Sequence, residues 1–131
     1  MRPAPLRRPV PLGPHAGIVL NHGVEDPESV LIAYLVGVEA LRAGKDALMF
    51  LTKDAIHIAT KGFAETIDVR GAPSVAVLHD EYEANGGRFF ACPVCVKTRG
   101  LEDAEWVGNS EIKGMPSVYE FTDGGALVFN Y

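Results

Sequence analysis

Three stretches of this chain are apolar at consecutive positions, and each is followed by a helix signal: Ala16–Asn21, Asp46–Leu51 and Arg88–Ala91. A strand with no polar alternation has no face to offer water, so it belongs in a sheet covered on both sides. Strands alternating with helices predict βαβ units, with right-handed crossovers and parallel pairing. Trp106-Val107 and Ala126–Asn130 read as two further short strands. The expected fold class is α/β, a three-layer α/β/α sandwich on a mainly parallel five-stranded sheet.

The punctuation between these stretches supports that reading. Asp26 suits a helix N-cap, Pro27 the first helical position and Glu28 the positive helix end. This helix runs to about Ala43, with Gly44 placed for a left-handed cap. It is apolar on nearly every side, through residues such as Val30, Ile32, Leu35 and Val36. A helix of that kind is expected to be buried all round, one side of it against another subunit or, alternatively, under a neighbouring helix or the N-terminal tail. Thr52 is placed to cap a short helix that closes at Gly62, while Phe63–Gly71 carries no clear signal. Pro73 opens a helix to about Ala84 with the stripe Val75, Leu78 and Tyr82, stopped by Asn85-Gly86-Gly87. Asn109–Gly114 is polar and turn-like. Pro116 opens a last short helix through Phe121, ended by Asp123-Gly124-Gly125.

With 131 residues the chain has the length of one domain. Residues 1–14, with three arginines and five prolines, read as a flexible tail, which leaves one domain over 15–131. The tail lacks the apolar run of a signal peptide, and the longest apolar stretch, Val30–Leu41, is too short to span a bilayer. The expected location is the cytoplasm. A net charge of −5 argues against a nucleic-acid or anionic-membrane partner.

Both cysteines lie in Cys92-Pro93-Val94-Cys95, between the third strand and a helix that stops at Gly100. In a reducing compartment, two cysteines at this spacing point to redox or metal chemistry before a structural staple. At a helix start, unpaired amides and the helix dipole favour a thiolate on the first cysteine, and Lys97 and Arg99 add positive charge. Cys92 is therefore the expected reactive thiol, and Cys95, one turn on, a resolving thiol. Zinc would need two more ligands, for which only His22, His57 and His79 are at hand; no metal is expected. The alternatives are two buried small hydrophobes or a thioredoxin-like dithiol enzyme, whose motif follows an earlier strand than this one.

In parallel sheets, sites gather at the carboxyl ends of the strands. The loops expected there are His22-Gly23, Thr52-Lys53-Asp54, Cys92-Pro93 and Asn109-Ser110. His22, Lys53, His57, Arg99 and Asn109 are accordingly candidate substrate-binding or supporting residues. His79 and Trp106 read as core or interface residues. No Ser-His-Asp order or phosphate loop is present.

Asn85-Gly86-Gly87-Arg88-Phe89-Phe90-Ala91-Cys92, followed by Arg99-Gly100-Leu101, resembles the DsrE/DsrF-like sulfur-relay family, which includes the TusD-type subunits. The resemblance spans Ala16–Tyr131, and its specific part is Cys92 with Arg99-Gly100. It implies a DsrE-like sandwich, a homotrimer or homohexamer, and a cysteine that carries sulfur as a persulfide between donor and acceptor proteins, with no cofactor. Cys95 departs from the relay pattern, since a second thiol can release the sulfur and form a disulfide. The same fold also serves as a non-catalytic ligand-binding or interaction module, and a C-x-x-C dithiol oxidoreductase is the further alternative.

Overall fold

The structure, a computed structural model, describes residues 14–131. The expected tail lies outside the described residues, apart from Pro14. The strands are β1 (His15–Leu20), β2 (Asp46–Leu51), β3 (Arg88–Ala91), β4 (Ser110–Ile112) and β5 (Ala126–Asn130). They form one five-stranded sheet in the order β4-β3-β2-β1-β5. Every pairing in it is parallel.

The crossovers are α1 (Pro27–Arg42), α2 (Val75–Ala84), α3 (Pro93–Thr98) and α4 (Met115–Thr122). Two 3-10 turns, Lys53–Ala59 and Ala64–Thr66, lie between β2 and α2. The chain steps from β1 to β4 in one direction, then returns to the far edge as β5. Right-handed crossovers therefore put α1, α2 and α3 on one face and α4 on the other.

Strand alternation divides the core accordingly. Ala47, Met49 and Leu51 of β2 join Ile18, Tyr34 and Tyr82 in the larger cluster, while Leu48 and Phe50 meet Phe90 and Phe121 in the smaller. Strands β2 and β3 are buried on both faces along most of their length. In β1 burial alternates, with Ala16, Ile18 and Leu20 buried and His15, Gly17 and Val19 half-buried. The unbroken apolar run of β1 led to an expectation of equal cover, but the second face carries only the eight-residue α4.

Helix α1 starts as its sequence implies. The Asp26 carboxylate accepts from the Ser29 amide at 3.2 Å, Pro27 follows, and Gly44 has φ +81°. Helix α2 begins two residues later than Pro73 suggests, because the Ser74 hydroxyl caps it by accepting from Val77 N–H. Thr52 is not a side-chain cap; its hydroxyl donates to Asn21 Oδ1 at 2.6 Å instead.

The fourth strand is not Trp106-Val107. That segment is tied to the end of the first 3-10 turn: Val107 N–H donates to Ala59 O, Lys61 N–H donates to Glu105 O, and Trp106 forms an antiparallel bridge with Thr60. The strand is Ser110–Ile112, within the stretch whose polarity reads as a turn. Its three residues are half-buried or exposed at the sheet edge, where a polar strand is stable.

Tyr34 of α1 and His79 of α2 join the helices inside the larger layer, with the hydroxyl 2.5 Å from Nδ1. Burial pushes His79 below the ordinary value of 6.5, against the opposing pull of Glu83, Asp80 and Glu65. A histidine held neutral when folded gives stability that is present above the unfolded value and lost as pH falls below it. The urea midpoint should therefore drop between about pH 7.5 and about pH 5.5. The drop should be smaller in His79→Phe; equal drops would remove His79 as the cause.

Candidate functional site

Strand alternation and one helical turn place the two thiols. Phe89 and Ala91 point into the larger cluster and Phe90 into the smaller. Cys92, next in line, packs against the smaller cluster, and Cys95, one turn into α3, packs against the larger. The pair thus straddles the carboxyl end of the sheet beside β2, where the Cys92 amide donates to Leu51 O at 2.9 Å. Cys92 is the N-cap residue of α3 and Pro93 the first helical residue. Both cysteines are free thiols and half-buried.

The β2 loop closes over Cys95. The Lys53 backbone amide donates to Cys95 Sγ at 3.1 Å. Lys53 has φ +52°, the sole left-handed non-glycine residue among the described residues. Such a conformation costs about 1–3 kcal/mol and persists where the surroundings enforce it. The enforcement is visible on both sides. Asp54 accepts from Arg99 Nε at 2.9 Å, joining the loop to the end of α3. Gly23 lies so close that a Cβ there would sit 2.5 Å from Asp54 O. The exposed Arg99–Asp54 ion pair is worth about 1 kcal/mol or less in stability; its effect is to hold position.

The two thiols stand one helical turn apart and act on each other electrostatically. Burial, and then the neighbouring Cys92, push the Cys95 thiol above its ordinary value, against the Lys53 amide and the Arg99 charge. Cys95 is therefore harder to deprotonate than a free thiol.

The remaining sequence candidates separate. His22 stands at the end of β1, its Nδ1 3.2 Å from Glu25 Oε1, and Glu25 also accepts from Gly23 N–H at 2.9 Å. His57 stacks on Phe63 with ring centroids 5.2 Å apart, and among the described residues no hydrogen bond ties it to a thiol. Asn109 was expected on a carboxyl-end loop, but it precedes β4 and donates to Gly87 O at 2.7 Å. That is the amino edge, opposite the cysteines, because the strand begins at Ser110 and not at Trp106. The loop that follows β4 at the carboxyl edge contains Gly114, beside Pro93.

Sequence reasoning put Asp54 and Gly23 on carboxyl-end loops but gave them no role, and it missed a polar chain across the ends of β1, β2 and β5. In that chain Thr52 donates to Asn21, and Asn21 Nδ2 donates to Asn130 Oδ1 at 2.6 Å and to Tyr131 O at 3.0 Å. The one available signal was position: all of these residues close or follow a strand. Among the described residues, no group of three or more His, Cys, Asp or Glu side chains is placed to hold a metal ion. No helix in them is long and apolar enough to cross a membrane.

A family model described as the DsrE/DsrF-like family matches residues 15–131. Among solved structures, the ychN protein from E. coli superposes with a TM-score of 0.70 at 15% sequence identity. The alignment covers 89% of this chain and 99% of that one. At that identity the likeness shows the fold. No curated protein matches the sequence.

Proposed function

Because the chain belongs to the DsrE/DsrF-like family, we propose that it is a sulfur-handling protein whose Cys92 accepts a sulfane sulfur as a persulfide. The observation that carries the reading is the unequal treatment of the two thiols. Cys95 accepts from the Lys53 amide, and burial pushes its thiol up. Cys92 follows β3 as the N-cap residue of α3, with no side-chain capping bond to occupy it. A half-buried free cysteine at a helix start is the kind of thiol that attacks sulfane sulfur.

The surface fits traffic with other proteins. Val94, Ile112 and Met115 are exposed apolar residues on the loops and elements around Cys92. We read them as the rim on which a sulfur donor or acceptor protein docks, in a cytoplasmic setting. A groove of about 470 Å³ between α1 and β5, lined by Ile32, Leu35, Val36, Leu127 and Phe129, fits a homotrimer or homohexamer contact.

The test is intact-protein mass after treatment with an organic persulfide. Cys95→Ser should gain one sulfur atom, and Cys92→Ser should gain none. Equal gain in both, or gain in neither, contradicts the proposal. Light scattering on the untreated protein should give a multiple of the chain mass, and the mass of one chain would contradict the assembly.

A further inference from the structure

We propose that this protein does not only carry the sulfur but releases it: Cys95, held under the Lys53 amide, attacks the Cys92 persulfide, expels hydrosulfide and closes a Cys92–Cys95 disulfide. The inference rests on the persulfide reading above and adds the fate of the sulfur.

Three observations converge on Cys95. It lies one helical turn from Cys92 at the start of α3, and the two thiols are electrostatic neighbours. Its sulfur accepts a fixed backbone donor, the Lys53 amide at 3.1 Å. That amide is turned toward it by a left-handed lysine, a conformation that a loop adopts only when compelled. The Arg99–Asp54 pair and the close approach of Gly23 supply the compulsion. A preset donor aimed at a sulfur stabilises negative charge there without reorganisation. A merely buried cysteine needs no such device.

The site also orders the two steps. Burial opposes charge on Cys95 throughout, and before sulfur arrives the neighbouring Cys92 opposes it too. Once Cys92 carries the extra sulfur, the charge of the persulfide sits one S–S bond farther out, about 2 Å. The Lys53 amide and Arg99 then act on Cys95 with less opposition.

The chemistry balances. Cys95 gives its proton to solvent, and its thiolate forms a bond to Cys92 Sγ. The bond from Cys92 Sγ to the outer sulfur breaks, and the electron pair leaves with that sulfur as hydrosulfide, protonated by water. The sulfane sulfur gains two electrons, one from each cysteine sulfur. A further turnover requires an external dithiol to reduce the disulfide, and each sulfur enters from an external persulfide.

A single-turnover experiment with glutathione persulfide tests this. The donor leaves as glutathione, so sulfide formed after desalting comes from the second step. Wild-type protein should release about one sulfide per chain and become two hydrogens lighter through a Cys92–Cys95 link; Cys95→Ser should keep its persulfide and release none. If wild-type protein holds its persulfide as long as Cys95→Ser does, release is overturned while the carrier reading stands. If Cys95→Ser takes up no sulfur, the carrier reading itself fails. Arg99→Gln should slow disulfide closure roughly tenfold and move its pH profile upward, the loss expected when a donor to a charged group is displaced. An unchanged rate and profile would overturn the role given to Arg99 and the loop it holds.

Discussion

Tyr82→Ala is expected to destabilise the protein by about 3–5 kcal/mol, the range for removing a large aromatic side chain from a packed core. The ring is fully buried and is bounded by two glycines. A Cβ on Gly37 of α1 would lie 2.9 Å from it, and a Cβ on Gly87, just before β3, only 2.5 Å. These glycines let α1, α2 and the entry to β3 close on one ring. Tyr82 also meets Tyr34 edge-on at 6.1 Å and Phe89 at 5.1 Å, and its hydroxyl donates to Arg88 O at 2.6 Å. Deletion leaves a cavity too confined by backbone to collapse and strips the first carbonyl of β3 of its partner. Urea unfolding is the check. A loss below about 1 kcal/mol would mean that the surroundings collapse freely into the space, contrary to the packing described.

Gly23→Ala should have the largest effect of any single methyl group near the thiols. The added carbon would stand 2.5 Å from Asp54 O and 3.0 Å from Asp54 C. Both are backbone atoms, so no rotamer relieves the contact and the β2 loop has to move. Overpacking of this kind costs about 1–3 kcal/mol. The displacement passes through Asp54 to its neighbour Lys53 and to Arg99, so the donor on Cys95 is lost with it. The expected outcome is a lower thermal midpoint together with slower closure of the Cys92–Cys95 disulfide after sulfur uptake. Wild-type values for both would show that the two loops are not coupled.

Most of the fold was legible because its signals are local. Asp26 and Pro27 open α1, Gly44 closes it, and the apolar runs at β1, β2 and β3 dictate parallel pairing. Strand β4 was not legible, because three edge residues with half-buried and exposed side chains carry no hydrophobic pattern. That miss alone moved Asn109 from the carboxyl edge to the amino edge. The uneven cover of the sheet was hidden for a different reason: β1 is apolar at half-buried as well as buried positions, so its composition does not register how thin the α4 layer is.

For the site, the spacing of Cys92 and Cys95 and the helix that follows could be read directly. The device on Cys95 could not. It is a backbone donor from a residue 42 positions away, set by a left-handed lysine that nothing in the sequence distinguishes from an ordinary loop residue. The role of Asp54 was not legible because its partner Arg99 lies 45 positions further on. Contacts of this range are created by the parallel order of β2 and β3, which puts the loop after one beside the helix after the other.

The most direct test of the account is to locate the added sulfur. Cys95→Ser protein, treated with glutathione persulfide, desalted, alkylated and cleaved, should yield a peptide spanning Phe89–Lys97 with one extra sulfur atom on Cys92. An unmodified peptide, or extra sulfur recovered elsewhere in the chain, would contradict the assignment of Cys92 as the acceptor.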